Sequence, residues 1–211
     1  MPVRADRQYR KIDIRNIAAR EDEGGMYVEG YATTFDQPYV LWEDPGMVFR
    51  EIIDPHAFDS CDMADVIMQY DHAGRVFART RNGTLAVQPD ERGLHIRAYL
   101  GGTEIGRQLY EEIKGGYTDR MSFGFSIEAE QEEREEEPDG SVSVLSRITR
   151  IKKLYDVSAV SLPANDATEI SARARFDGAM ERAQQDRLAR EERIRKMKLI
   201  QIKTKNGGKK S

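Results

Sequence analysis

Apolar and polar residues alternate with a period of two over much of the first 160 positions, which is typical of β-strands that bury one face. The strictest alternation lies over 119–127. Large apolar residues occupy one face there and small residues the other: Met121, Phe123, Phe125 and Ile127 against Ser122, Gly124 and Ser126. Further strands are predicted over 47–53, 65–70, 93–100 and 142–162.

Two segments near the start alternate as well, 9–15 and 26–32. An acidic turn with Gly24-Gly25 lies between them, which favours a hairpin formed by these two segments.

A helix is predicted over 103–114. Its apolar positions recur at four-residue spacing: Ile105, Leu109 and Ile113. Thr103 is placed to cap the N-terminus, and Gly115-Gly116 ends the helix. A second, short helix is predicted after Asp54-Pro55, where an N-cap residue is followed by proline at the first helical position.

From residue 171 onward the pattern becomes helical and highly charged. Its apolar positions are sparse: Phe176, Met180, Ala183 and Leu188. Such a helix lacks the apolar stripe that a core of its own would need. We therefore divide the chain into a folded body, 1–170, a charged helical extension, 171–202, and a disordered basic tail, 203–211.

Charge is distributed unevenly between the body and these C-terminal residues. The whole chain has 33 Lys and Arg against 37 Asp and Glu, a net charge of -4, yet residues 172–211 alone have 13 against 5. A block of like charge resists burial, which favours a detachable or partner-binding segment. Nucleic acid is the less favoured partner, because no aromatic side chain that could stack on bases is interleaved with the basic residues after Phe176.

Composition excludes several classes of protein. With 39% hydrophobic residues, 33% charged residues and a mean hydropathy of -0.68, the chain has no apolar run of the roughly 18 residues that a spanning helix needs. It also begins without an apolar signal core, so we expect a soluble protein that acts inside a cell. One cysteine, Cys61, excludes an internal disulfide, and three histidines leave little room for a metal cage, so no metal or cofactor is expected.

Three polar residues are candidates for chemistry. Ser122 lies beside Gly124 on the small-residue face of its strand, where the hydroxyl would be unobstructed and a substrate backbone could approach. His72 ends a buried strand and follows Asp71, so it could act as a general base. Asp156 joins a charged segment to an apolar strand, where burial would require a hydrogen-bonding partner. Each also has a purely structural interpretation: a solvent-facing strand residue, a capping histidine and a strand-edge acid.

The order of these residues and the sequences around them resemble the tailed-phage prohead (capsid maturation) proteases. The main matches are His72, Met121-Ser122-Phe123-Gly124-Phe125, and the segment 154–165, which contains Asp156 and ends in Ser161-Leu162-Pro163-Ala164-Asn165. Shorter matches support them: Glu29-Gly30-Tyr31-Ala32, Glu51-Ile52-Ile53, Ala57-Phe58 and Gly93-Leu94. The resemblance covers roughly residues 10–170, the whole body.

This resemblance implies a serine endopeptidase with an α+β fold, similar to the herpesvirus assemblins. A mostly antiparallel, β-barrel-like core would carry a few flanking helices and the C-terminal charged helix, and the body over 1–170 would be the protease domain. Ser122 would be the nucleophile, His72 the base and Asp156 the group that orients the imidazole. Asp71 competes with Asp156 for the orienting role.

The implied substrates are the scaffolding protein or the scaffold-like segment of the major capsid protein, and finally the protease itself. These proteins are also the implied partners, with self-association as a further expectation and no membrane contact. The implied location is the immature capsid, inside the cytoplasm of the bacterial host. The basic helix after 171 would dock on an acidic scaffold surface and later be cut off.

Three other hypotheses remain open on the sequence. The chain could be a non-catalytic capsid-assembly or scaffold protein with the same fold. Cys61, rather than Ser122, could be the nucleophile that works with His72. The basic tail could bind nucleic acid while the body is inert.

Overall fold

A computed structural model describes residues 7–12, 17–22, 25–136, 138, 140–160, 175–182, 185, 188–190 and 192–198. The strands within these ranges are β1 (Gln8–Ile12), β2 (Ile17–Asp22), β3 (Gly25–Thr34), β4 (Tyr39–Asp44), β5 (Met47–Ile53), β6 (Ile67–Tyr70), β7 (Ala73–Arg79), β8 (Leu85–Pro89), β9 (Gly93–Tyr99), β10 (Arg120–Glu136) and β11 (Val142–Val160). The α-helix α1 spans Glu104–Lys114, and a 3-10 helix spans Thr80–Asn82. The described residues from 175 onward are helical.

The strands form two sheets. The larger is seven-stranded, in the order β1-β10-β11-β5-β4, with β6 paired to β11 and β7 paired to β6. Its centre is the antiparallel pair of β10 and β11, which extends from Arg120 paired with Val160 to Glu136 paired with Val142. On its other edge β11 pairs with two parallel strands, with β5 through residues 142–148 of β11 and with β6 through residues 156–159 of β11. The smaller sheet is four-stranded, β2-β3-β9-β8.

These elements confirm an α+β fold with flanking helices. The β-barrel-like core is not confirmed, because the described strands form two separate sheets, and hydrogen-bonded pairing in the larger one ends at β1, β4 and β7. The predicted helix over 103–114 is confirmed: the Thr103 hydroxyl accepts a hydrogen bond from the Gly106 N–H, and Leu109, Tyr110 and Ile113 form the buried face. Among the described residues, no helix combines the length and apolarity needed to cross a bilayer.

Two local predictions are wrong. The first alternating segment does not form a hairpin with the second, because β1 pairs with β10 in the larger sheet while β2 pairs with β3. Alternation indicates which face of a strand is apolar but carries no information about the partner strand. After Asp54-Pro55 the chain makes turns rather than a helix, with hydrogen bonds such as that from the Ala57 N–H to the Asp54 carbonyl.

The acidic segment after residue 127 continues β10 as a strand instead of leaving the sheet. Residues of β4, β5 and the start of β11 form a second apolar cluster, in which Phe176 packs on Trp42 and Phe49 with ring centroids 5.1 and 6.3 Å apart. The described helical residues from 175 onward therefore contact the sheet directly. The domain division at 170 stays a prediction, and the predicted tail over 203–211 lies outside the described residues.

A buried carboxylate joins β1, β4, β5 and this helix. Glu51 is fully buried and accepts hydrogen bonds from the guanidinium groups of Arg10, at 2.5 and 2.9 Å, and Arg175, at 2.6 Å, and from the Tyr39 hydroxyl, at 2.5 Å. Burial raises the pKa of Glu51, but the two arginines and these hydrogen bonds outweigh it and lower the pKa from 4.5 to about 2. Glu51 is therefore ionised in the folded protein.

We predict that Glu51→Gln destabilises the fold by about 3 kcal/mol at neutral pH, because it leaves the buried Arg10 without its counter-ion and removes one of the two carboxylates that pair with Arg175. A carboxyl whose pKa is lowered on folding stabilises the protein above its unfolded pKa and loses that contribution as pH falls through the folded value. The difference between wild type and Glu51→Gln should therefore shrink between about pH 4.5 and 2. Denaturant unfolding at several pH values measures it.

Glu43→Gln is the matched control, since Glu43 is an exposed residue of the neighbouring strand β4. It should change stability by less than about 0.5 kcal/mol at any pH. A Glu51→Gln penalty that stays constant from neutral to acid pH would contradict the assignment of a buried, ionised Glu51.

Candidate active site

Strands β10 and β11 present two of the candidate residues on one face of the larger sheet. Ser122 pairs with Ser158, and Gly124 pairs with Asp156, so Ser122 and Asp156 are diagonal neighbours. Directly beyond this pair the register shifts, because Phe125 pairs with Leu154 and leaves Tyr155 as an extra residue on β11. Bulges of this kind re-aim neighbouring side chains and are frequent beside functional sites.

His72 reaches the same face from a tight turn. Residues Asp71 and His72 connect β6 to β7 with φ of 47° and 57°, and the flanking residues Tyr70 and Ala73 pair with each other. Positive φ at both central positions is the mark of the turns that close two-residue hairpins. The turn is tied to β11, since the Asp71 N–H donates to the Ala159 carbonyl at 3.1 Å.

The structure brings His72, Ser122 and Asp156 into one hydrogen-bonded line. His72 Nε2 lies 2.5 Å from Ser122 Oγ, and His72 Nδ1 lies 2.5 Å from Asp156 Oδ1. Both Ser122 and Asp156 are fully buried, so the solvent-facing interpretation of Ser122 and the strand-edge interpretation of Asp156 do not fit. The imidazole therefore lies between a hydroxyl and a carboxylate, as a proton-transfer group requires.

Asp71 and Cys61 do not share this arrangement. The Asp71 side chain is exposed, and the carboxylate that contacts the His72 ring belongs to Asp156. Cys61 lies near Asp62, which pairs with Lys153 on β11, and its thiol contacts the Asp62 carbonyl at 3.8 Å. Burial raises the pKa of the Cys61 thiol to about 11, which leaves almost none of it as the thiolate that a nucleophile needs.

Asp156 is ionised although it is buried. Burial raises the pKa of its carboxyl, but the hydrogen bond to His72, the charges of His72 and Arg7, and the Ser158 hydroxyl together lower it below its ordinary value. Ser158 donates to Oδ1 at 3.0 Å, so that oxygen accepts from both the hydroxyl and the imidazole. An ionised carboxylate in this position stabilises an imidazolium and fixes the ring orientation.

The Ser122 hydroxyl has a second neighbour besides His72. Its Oγ lies 2.8 Å from the backbone carbonyl of Arg10 on β1. A hydroxyl has one proton to donate, so it bonds either to this carbonyl or to a neutral His72 Nε2. Transfer of the proton to His72 requires the second of these arrangements.

Two residues of the site were not predicted from the sequence. Arg7 donates to Asp156 Oδ2, and the Tyr9 ring packs on the His72 ring with centroids 4.4 Å apart. Both belong to the start of the chain, and no local signal indicates that this segment pairs with β10. They also correct one interpretation: the space beside Gly124 holds Arg7, Tyr9 and Asp156, and is not open to a substrate backbone.

No group of three or more His, Cys, Asp or Glu side chains in the described part of the chain is arranged to hold a metal ion. The chemistry that the described residues support is proton transfer and nucleophilic attack by a hydroxyl. Of the longest sequence match, the portion Ser161-Leu162-Pro163-Ala164-Asn165 lies outside the described residues.

Comparison with known proteins gives one family. The sequence profile described as caudovirus prohead serine protease matches residues 12–185, while no curated protein sequence matches the chain significantly. Among solved structures, the chain is similar to the capsid assembly protease gp21 of bacteriophage T4, with 12% sequence identity and a TM-score of 0.39 over 74% of this chain and 96% of that chain. The family match covers well over half of the sequence and contains His72, Ser122 and Asp156. The chain belongs to the caudovirus prohead serine protease family.

Proposed function

We propose that this chain is a serine endopeptidase in which Ser122 is the nucleophile, His72 the general base and Asp156 the carboxylate that orients the imidazole. Membership of the family makes it a serine protease of phage capsid maturation. The observation that supports the residue assignment is the line of two 2.5 Å contacts from Ser122 Oγ through His72 to Asp156 Oδ1.

The reaction is acyl transfer. Ser122 Oγ bonds to the carbonyl carbon of the scissile peptide while its proton moves to His72 Nε2, and Asp156 stabilises the imidazolium that forms. The tetrahedral intermediate collapses, the C–N bond breaks, and His72 returns the proton to the leaving amine. Water then attacks the Ser122 ester with His72 again as base, which releases the acid and restores the hydroxyl.

The full burial of Ser122 restricts when this reaction occurs. A peptide carbonyl reaches Oγ only after the groups that cover it move. Strand β1 lies against the hydroxyl, since the Arg10 carbonyl is 2.8 Å from Ser122 Oγ. We expect the described state to be a resting state that opens when a substrate strand binds.

The substrates that we propose are the scaffolding protein or the scaffold segment of the major capsid protein, and the protease itself. The proposed location is the immature capsid in the host cytoplasm. A closed shell holds enzyme and substrate together at a high effective concentration. Confinement therefore contributes to substrate selectivity, and the active site does not have to provide all of it. No metal or cofactor takes part in the steps above.

We predict that Ser122→Ala lowers kcat by roughly 10⁶, because the attacking oxygen is lost. Cleavage of scaffold in co-expressed proheads, and of the protease itself, is the measurement. Ser126→Ala is the matched control, since Ser126 is a buried serine on the same strand and face, outside the hydrogen-bonded line, and should leave cleavage unchanged. Unaltered processing by Ser122→Ala would instead support a non-catalytic assembly protein.

The roles of the two aspartates can be separated by the same change at each. Asp156→Asn should lower kcat by about 10⁴, because an amide cannot stabilise the imidazolium and favours the wrong tautomer. Asp71→Asn should stay close to wild type, because the Asp71 side chain is exposed and its backbone makes the contact with β11. Comparable losses in both variants would refute Asp156 as the sole orienting carboxylate.

We also propose that basic C-terminal residues bind acidic scaffold. Contacts within this chain limit which of these residues a partner could reach. Arg175 is engaged by Glu51 and Glu130, and Arg182 by Glu132 at 2.6 Å, all within this chain. The described residues over 188–198 are exposed, so they are the part available to a partner.

We predict that deleting residues 183–211 preserves folding and peptide cleavage but lowers incorporation into proheads several-fold. A deletion from 172 would be a poor test, because it also removes Phe176 from its apolar cluster. Changing Arg193, Arg195, Lys196 and Lys198 together to Gln tests charge without changing length. Normal incorporation of both variants, measured by the protease content of purified proheads, would contradict scaffold docking.

A further inference from the structure

We infer that Arg7 is a positioning residue of the active site, which holds the second carboxylate oxygen of Asp156 so that the first stays aligned with His72. This inference rests on the proposed function, because it concerns the carboxylate assigned to orient the imidazole. It adds to the site a residue from the start of the chain, 149 positions from Asp156 in sequence.

The two oxygens of Asp156 have separate partners. Oδ1 accepts from His72 Nδ1 and Ser158 Oγ, and Oδ2 accepts from Arg7 Nη2. A carboxylate bonded on both oxygens cannot rotate without breaking one set of bonds. Without Arg7, Oδ2 would be a charged oxygen in a fully buried residue that has lost its ion-pair partner, which is strongly unfavourable.

The guanidinium group of Arg7 is itself held in place. It lies over the Tyr155 ring at 4.6 Å and over the Tyr9 ring at 5.2 Å, and only 24% of the Arg7 side chain is exposed. The Tyr9 ring in turn packs on the His72 ring. Planar cations that stack on aromatic faces keep a fixed orientation, so Arg7 acts as a rigid partner and not as a mobile surface charge.

Gly124 provides the space for this contact. It pairs with Asp156 on one side and with Tyr9 on the other. A Cβ at 124 would collide with Asp156 Oδ2 and lie 3.0 Å from Tyr9 Cε1 and 3.1 Å from Arg7 Nε. A glycine at this position therefore lets the arginine reach the carboxylate across the strand.

The experiment compares Arg7→Ala, Arg7→Lys and Arg20→Ala in a peptide cleavage assay that Ser122→Ala has shown to depend on Ser122. We expect Arg7→Ala to lower kcat about 10- to 100-fold with KM changed little, because the carboxylate and imidazole lose alignment while substrate contacts remain. Arg7→Lys should fall between. Arg20→Ala is the control, since Arg20 is a largely exposed arginine of β2 and should keep wild-type kcat.

Chemical rescue separates positioning from general damage to the fold. Millimolar guanidinium ion, far below denaturing concentrations, should restore part of the kcat of Arg7→Ala by occupying the vacated space. It should leave wild type and Arg20→Ala unchanged. Gly124→Ala should lose activity without rescue, because its methyl group fills that space. An Arg7→Ala enzyme as active as wild type, or more active, would overturn the inference.

A spectroscopic measurement tests the role of Arg7 without depending on activity. In a Ser122→Ala background, which should not cleave itself, the proton between His72 Nδ1 and Asp156 Oδ1 should give a low-field proton resonance. Adding Arg7→Ala should shift or broaden this resonance, and adding Arg20→Ala should not. An unchanged resonance would overturn the inference even if the wild-type protein showed no cleavage at all, whereas absent cleavage with a shifted resonance would count against the proposed function alone.

Discussion

The antiparallel pairing of β10 with β11 is the constraint on which the rest of the larger sheet depends. Every strand that contributes to the site is attached to one of these two: β1 to β10, and β6 to β11. Their register sets the spacing between the hydroxyl and the carboxylate, because Ser122 and Asp156 are diagonal across it. A slip of β10 by one residue would turn Ser122 to the opposite face of the sheet from Asp156 and His72.

Two buried carboxylates then fix the N-terminal strand in its place. Asp156 and Glu51 are both fully buried, and each is paired with an arginine from the start of the chain, Arg7 for the first and Arg10 for the second. Buried charges are tolerated only with such partners. The same strand supplies the carbonyl that contacts Ser122, so the ion pairs that hold β1 also define the surroundings of this hydroxyl.

The proposed base, His72, lies in a turn with an unusual backbone conformation. His72 has a φ of 57°, in a region that residues with a side chain adopt infrequently, and the neighbouring Asp71 does the same. Such backbone persists where surrounding contacts impose it, which here include the pairing of β6 with β11 and the hydrogen bond from the Asp71 N–H to Ala159. The hairpin thereby carries an imidazole into the line between Ser122 and Asp156.

Local sequence was sufficient for much of the secondary structure. The alternation over 119–127 predicted β10 and its face of large apolar residues, and the spacing of apolar residues with Thr103 as cap predicted α1, because period and capping depend on neighbours within a few positions. The order and surroundings of His72, Ser122 and Asp156 gave the family through resemblance.

Tertiary structure decided which strands pair and what surrounds each charge. Pairing of β1 with β10 and the arrangement of the strands in two sheets bring together residues that are distant in sequence. The same is true of the contacts of Arg7, Arg175 and Phe176. Tertiary structure also decided which aspartate contacts the imidazole of His72. The adjacent Asp71 lies in a turn with its side chain exposed, whereas the register of the sheet brings the distant Asp156 to the ring. Proximity in space does not follow from proximity along the chain, because it depends on which strands pair and in which register.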